Sequence, residues 1–349
     1  MFDHFAPPPV TATEPLATLL DVTLRDGGFE VDFHWPDSHF AMVAATGHAT
    51  GIDIVELGYL GGVPLEHSVA RAGVGAYLTP RHVSAARRDG LALAAMVHPS
   101  AVTAPPDLGP YVEAGLSMVR FVYHPRWADA IAALALDARR HGLAVAVNLA
   151  LASRYTATEL VDHATRIVED MAPDVVYVAD TCSALGPDQV GDLVHRLRAA
   201  VEVEVGFHAH DFLHLAYANA LAAVAAGASY LDVSLLGLGR GGGNLAAEPL
   251  LLRHRLPVAD PAAGPLLQEC RTQLAATTGR RAGSLTAAVC AVLNLTPVEE
   301  AAIREFAALE QIGDDTAALW LLTQASRVAT LRPQDLRAHW HDHGLVVGR

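Results

Sequence analysis

The feature that most constrains the fold is an alternation running through most of the chain. Short apolar, β-branched runs occur at Leu19 to Thr23, Asp53 to Leu57, Leu91 to Val97, Met118 to Tyr123, Ala144 to Ala150, Val175 to Ala179, Val203 to Phe207 and Leu231 to Leu235. Each precedes a longer Ala/Leu-rich stretch of helical period: Asp37 to Thr50, Ser68 to Tyr77, Pro106 to Gly115, Trp127 to His141, Thr158 to Met171, Pro187 to Ala200, Phe212 to Ala226 and Ala246 to Arg253. Strands alternating with helices imply parallel βα units, and eight of each predict an α/β fold of the (β/α)8 TIM-barrel class. A doubly wound open sheet is the alternative.

After Arg253 the pattern changes. Arg255 to Pro265, with three prolines and a glycine, reads as a linker. Beyond it Leu266 to Thr278, Ala282 to Leu295, Pro297 to Ala308, Asp314 to Ala329 and Pro333 to His343 read as helices. The organisation expected is an N-terminal extension at 1–16, a barrel at 17–254 and a small helical C-terminal domain at 266–349. The latter carries few clustered polar residues, so packing, dimerisation or a partner surface is expected of it rather than chemistry.

Composition narrows the function. The 349 residues are 52% hydrophobic, enough to fill a sizeable core. Twenty-four basic against 38 acidic residues give a net charge of -14, which argues against a nucleic-acid backbone or an anionic membrane surface. Cys182, Cys270 and Cys290 form no CxxC pair, so neither a disulfide framework nor a thiolate zinc site is indicated. The N-terminus has no basic and apolar signal regions, and no apolar run is long enough to span a bilayer. A cytoplasmic enzyme is expected.

Chemistry gathers where the strands end: Arg25 and Asp26, Glu56, His98, His124, Asn148 and Ser153, Asp180 and Thr181, His208 and His210, then Ser234. In a TIM barrel these ends converge on one mouth, where active sites are built. "GFHAHD" places His208 and His210 two apart in an extended chain, so both imidazoles point to one side. Asp26 adds an anionic oxygen from the first strand, which ring closure brings near the seventh. Two imidazoles and a carboxylate leave coordination positions open and suit Mn, Mg, Co or Zn. The glycine-rich "LLGLGRGGGN" after the eighth strand either binds phosphate or turns tightly against this site.

Together, "DVTLRDGG", "ELGY", "VADTCSALGP" and "GFHAHDFLHLAYANALAAVAAGASYLDVSLLGLGRGGGN" resemble the metallolyase superfamily of TIM barrels. That superfamily holds 4-hydroxy-2-oxovalerate aldolases, hydroxymethylglutaryl-CoA lyases, and isopropylmalate and homocitrate synthases; the layout is most similar to the oxovalerate aldolases. The resemblance implies that Asp26, His208 and His210 ligate a divalent metal, with Asn244 as a fourth ligand. It implies that Arg25 binds the 2-oxo acid and stabilises its enolate, and that Ser153 and Thr181 hold the substrate carboxylate. Glu56 and Asp180 stand where they would orient Arg25 or metal-bound water. Asp21, inside the first strand, reads as interior support.

Two departures stand out. The aldolases continue their Arg-Asp motif with Ser-His, whose histidine is the base, whereas Gly28 and Phe29 occupy those places here. They also carry a C-terminal tyrosine that "GRRAGSLTAAVCAVLN" lacks. Replacement proton carriers are Glu30, His34, Tyr59, His98, Tyr123, His124 and His214, with His124 preferred because histidine titrates near neutral pH. The function expected is a metal-dependent aldolase interconverting a 4-hydroxy-2-oxo acid with pyruvate and an aldehyde. One rival is a Claisen-type synthase joining an acyl-CoA to a 2-oxo acid, against which "RDGGFE" lacks the synthases' Gly-Glu-Gln. A second is a non-catalytic metal-binding scaffold. Self-association fits the resemblance, while the altered C-terminal domain argues against the aldolases' acylating aldehyde dehydrogenase partner.

Overall fold

The computed structural model describes residues 17–63, 71–102, 106–260 and 262–343. Eight strands form a closed parallel barrel in chain order: β1 (Thr18–Asp21), β2 (Ile54–Tyr59), β3 (Ala92–Val97), β4 (Met118–Tyr123), β5 (Ala144–Leu149), β6 (Val175–Asp180), β7 (Glu204–Ala209) and β8 (Tyr230–Val233). The ring closes by pairing β1 with β8, Leu19 opposite Leu231 and Asp21 opposite Val233. The open-sheet alternative is thereby excluded. The (β/α)8 expectation holds, because strands buried on both faces require the near-continuous apolar runs that the sequence supplies.

Side chains fill the barrel. Leu20, Ile54, Ala94, Met118, Ala146, Val175 and Tyr177 form one interior layer. Gly206 on β7 leaves room for the largest of them, since a Cβ there would meet the Tyr177 ring at 2.5 Å. That ring in turn lies beneath the Arg120 guanidinium, 4.4 Å from centroid to Cζ. A glycine in one strand thus helps seat a charged residue in another.

The helices of the barrel are α1 (Asp37–Thr50), α2 (Pro80–Ala86), α3 (Gly109–Ala114), α4 (Ala128–Arg140), α5 (Ala157–Met171), α6 (Pro187–Ala200) and α7 (Ala216–Ala225), and α8 (Ala247–His254) follows β8. Several helices are shorter than expected from the sequence, and the largest difference lies after β2. Of the helix expected at Ser68 to Tyr77, 64–70 lie outside the described residues, and Val74–Ala76 forms a single 3-10 turn. The helix starts instead at Pro80, whose missing N–H costs nothing in a first turn; Thr79 N–H donates to His82 Nδ1 at 3.1 Å.

Contacts divide the chain into two compact units, one containing Ile52–Ala247 and the segment ending at His48, the other Ala49–Gly51 and the chain from Glu248 onward. In the second unit, α9 (Ala263–Thr278), α10 (Leu285–Val292), α11 (Pro297–Glu310), α12 (Asp314–Gln324) and α13 (Pro333–His343) follow α8. Phe306, Trp320 and Trp340 pack there with centroids 5.2–6.0 Å apart. Buried Arg271 donates to Glu248 at 2.9 Å. Among the described residues no helix is long and apolar enough to cross a membrane.

Candidate active site

A cavity of about 570 Å³ is lined by residues at the C-terminal ends of the strands. In its floor Asp26, His208 and His210 are all buried, with one candidate ligand atom from each lying within 4.8 Å of the others. Why these atoms face one another follows from what holds the far side of each ring. His208 Nδ1 is 2.8 Å from Asp232 Oδ2, and His210 Nδ1 is 3.3 Å from the Gly243 carbonyl. Both partners only accept, so each Nδ1 carries the hydrogen and each Nε2 presents a lone pair. The two Nε2 atoms stand 3.4 Å apart. Burial and neighbouring His208 press His210 down to about 4, which keeps it in the neutral, ligating form near pH 7.

The site therefore fits a divalent cation on its own chemistry: two facing lone pairs, a carboxylate, and acceptors behind both rings. Burial opposes ionisation of Asp26, but Arg25 and the two imidazoles outweigh it and hold its carboxyl well below the usual range. Asn244 Nδ2 donates to Asp26 Oδ2 at 2.8 Å and to the Leu238 carbonyl at 3.0 Å. Its buried Oδ1 has no hydrogen-bond partner, so a ligating oxygen is at hand beside Asp26.

The glycine-rich stretch after β8 wraps this floor. Gly239 N–H donates to Glu30 at 3.0 Å, Arg240 N–H lies 3.4 Å from Asp26 Oδ2, and the Gly243 carbonyl takes the His210 bond. The stretch thus turns tightly against the metal-type site.

Beside the triad, Arg25 donates from Nε to Glu56 Oε2 at 2.7 Å and from NH1 to Asp26 Oδ1 at 2.5 Å. Burial works against its charge, but Glu56 and Asp26 raise its pKa well above the ordinary value. The same Glu56 oxygen accepts from Arg120 NH1 at 2.9 Å, and Arg120 NH2 donates to Asp232 Oδ2 at 2.7 Å. A continuous buried relay therefore runs Arg25, Glu56, Arg120, Asp232, His208. Burial opposes ionisation of Asp232, yet Arg120 and the His208 hydrogen bond bring its carboxyl below the usual range.

Sequence reasoning did not single out Arg120 or Asp232. The signal available was a charged residue inside each of two apolar strand runs, "MVRFVY" and "YLDV". Such a residue, buried, demands a partner.

The remaining expected residues fall into three groups. Glu56 stands where expected, bonded to Arg25. Thr181 and His124 line the cavity, but both have an atom already engaged. Thr181 Oγ1 accepts from Leu151 N–H at 2.9 Å. His124 Nδ1 accepts from Arg126 N–H at 3.2 Å, so its neutral ring carries the proton on Nε2 and offers a donor rather than a basic lone pair.

Asp180 and Ser153 do not reach the cavity. Both Asp180 oxygens accept backbone N–H groups, of Ala184 and Leu185, each at 3.0 Å, so the residue fastens the loop after β6. Ser153 lies in the 3-10 turn Ala152–Arg154, and Ser183 stands in the lining instead.

Of the other proton carriers, Tyr59 is pushed up to about 12 by burial and stays a phenol. His34 and His214 are exposed and do not line the cavity, and Glu30 holds Gly239. His98, buried in the lining, has Nδ1 2.7 Å from Ser100 Oγ.

Comparison with known proteins agrees with this fold. The HMGL-like family matches over residues 119–259. The chain is 36% identical to 4-hydroxy-2-oxovalerate aldolase 2 of Nocardia farcinica over 235 residues, 67% of each chain. It is 32% identical to an oxaloacetate decarboxylase of Mycobacterium tuberculosis over 246 residues, 69% of this chain and 71% of that one. Among solved structures, hydroxymethylglutaryl-CoA lyase from Pseudomonas aeruginosa shares the fold, with a TM-score of 0.60, 20% identity and coverage of 77% of this chain and 95% of that one. With a barrel closed in the same fold and this level of identity across two thirds of its length, the chain belongs to the HMGL-like family of TIM-barrel lyases, together with the 4-hydroxy-2-oxovalerate aldolases.

Proposed function

We propose that the chain is a divalent-metal-dependent aldolase of 2-oxo acids, interconverting a 4-hydroxy-2-oxo acid with pyruvate and an aldehyde. The observation that carries this is the Asp26, His208, His210 triad with both Nε2 lone pairs facing inward beside a buried Arg25. A second observation supports it from the whole chain. Aldolases form their carbon nucleophile either as an enamine on a lysine Schiff base or as an enolate stabilised by a metal. This sequence contains no lysine; all 24 basic residues are arginine.

Asp26, His208 and His210 would hold the ion, with Asn244 Oδ1 beside them, and Mn, Mg, Co and Zn all suit the donor set. When bound, a divalent ion polarises the 2-oxo carbonyl. Arg25 supplies a fixed cation where negative charge develops on the enolate, at no reorganisation cost because Glu56 already locks its Nε. Thr181 borders the substrate space, and the His124 Nε2 proton faces the role of donor to the aldehyde oxygen. Tyr59, Met96 and Val122 give the substrate space an apolar side. The cytoplasm is the compartment proposed, and a 2-oxo acid and an aldehyde are the ligands.

A specific observation favours a second reading, decarboxylation of a 3-carboxylated 2-oxo acid. Retro-aldol cleavage must take a proton from the C4 hydroxyl, whereas loss of carbon dioxide reaches the same enolate with no base. Phe29 stands where the resemblance places a histidine base, and a relative bears the name oxaloacetate decarboxylase.

The first test is pyruvate in deuterated water with Mg, following the methyl proton signal by NMR. Exchange that requires metal, and that is lost in Asp26→Ala and His208→Ala, is expected. Full exchange with the metal chelated, or in either variant, sinks the assignment.

A further inference from the structure

We infer, resting on the aldolase reading, that the acceptor is an aldehyde whose carbonyl carries an aryl-sized apolar group rather than one or two carbons. The cavity wall near Arg25 is built of rings. Phe29 meets Phe33 edge-on at 4.8 Å and Tyr59 at 6.3 Å, and Phe33 meets Tyr59 at 5.6 Å. The local sequence is shaped to allow this: Gly28 has no Cβ, and one would stand 2.4 Å from the Phe33 ring. Met96 and Val122 continue the same apolar cluster.

Trp127 adds a further ring to the lining, with His98 edge-on at 4.9 Å and the Arg126 guanidinium over it at 4.2 Å. Among the described lining residues Asp26 is the one carboxylate, and it belongs to the metal-type triad.

A space of about 570 Å³ greatly exceeds what pyruvate and a two-carbon aldehyde fill. An aryl group would cover the Phe29, Met96 and Val122 surface and take edge or face contacts from the rings, which add to area burial. A cationic acceptor would lose its water there without a carboxylate to pair it, since Asp26 belongs to the metal-type triad. In synthesis, C3 of the pyruvate enolate bonds to the aldehyde carbon, the carbonyl π pair moves to its oxygen, and that oxygen takes a proton; cleavage reverses each change.

The test gives the Mg-loaded protein pyruvate with benzaldehyde or acetaldehyde, and measures product formation by mass spectrometry alongside methyl exchange of pyruvate alone. Expected is a kcat/KM for benzaldehyde at least tenfold above that for acetaldehyde. That ratio should collapse in Val122→Phe, which fills the subsite, and in Phe29→Ala, which removes its wall. Metal-dependent exchange with acetaldehyde used equally well or better overturns this inference and leaves the aldolase reading standing. Absence of exchange overturns the aldolase reading and this inference with it.

Discussion

Arg120 on β4 and His208 on β7 share one acceptor, Asp232 Oδ2, at 2.7 and 2.8 Å. The residue that fixes a candidate metal ligand is thus also linked, through Arg120 and then Glu56, to the arginine proposed to bind substrate. Orientation of the metal-type triad and orientation of Arg25 are coupled through buried charges.

Asp232→Asn should weaken metal binding. The variant loses the carboxylate that fixes the His208 tautomer, and comparable outer partners are worth about 10–100-fold in affinity. Calorimetric titration with Mn reads this directly; wild-type affinity in the variant would remove Asp232 from the support of His208.

Arg120→Met should destabilise the barrel, because it leaves Glu56 and Asp232 buried without their shared cation. Breaking a buried pair from one side costs about 3–5 kcal/mol. Urea denaturation measures it, and KM for pyruvate should rise in the same variant as Glu56 loses its second anchor. A stability loss with unchanged KM would confine Arg120 to folding.

Asp180→Ala separates a loop fastener from a catalytic group. Two backbone N–H groups lose their acceptor, at a cost of about 1–3 kcal/mol each if they stay buried. The expected result is a lower midpoint of denaturation with Mn affinity within twofold of wild type. A tenfold loss of metal affinity with stability intact would return Asp180 to the active site.

Metal should stabilise the fold by mass action, about 2.7 kcal/mol at a hundred times Kd. Thermal melts with Mn and with EDTA test it, and the increment should vanish in His210→Ala. Borohydride added with pyruvate should leave the protein mass unchanged, since no lysine is present to form a reducible imine. A pyruvate-sized mass gain would contradict the metal route.

Several features were legible in the sequence because they depend on local periodicity. The alternation of apolar runs with Ala/Leu-rich stretches determines eight βα units, and Met118–Tyr123 and Pro333–His343 match their expected bounds to the residue. The period-2 geometry of a strand puts His208 and His210 on one side before any partner is known. Closure of the ring then makes Asp26 their neighbour.

Tertiary structure alone decided what each polar side chain does. Glu56 and Asp180 look alike as acidic residues on strand runs, yet one accepts from two arginines and the other from loop amides. Arg120 and Asp232 stand 112 residues apart and meet only because β4 and β8 face the same barrel interior. His124 became a donor through the Arg126 N–H that occupies its Nδ1. Hydrogen-bond partnership is set by positions in space to within half an ångström, and periodicity in the sequence carries no such information.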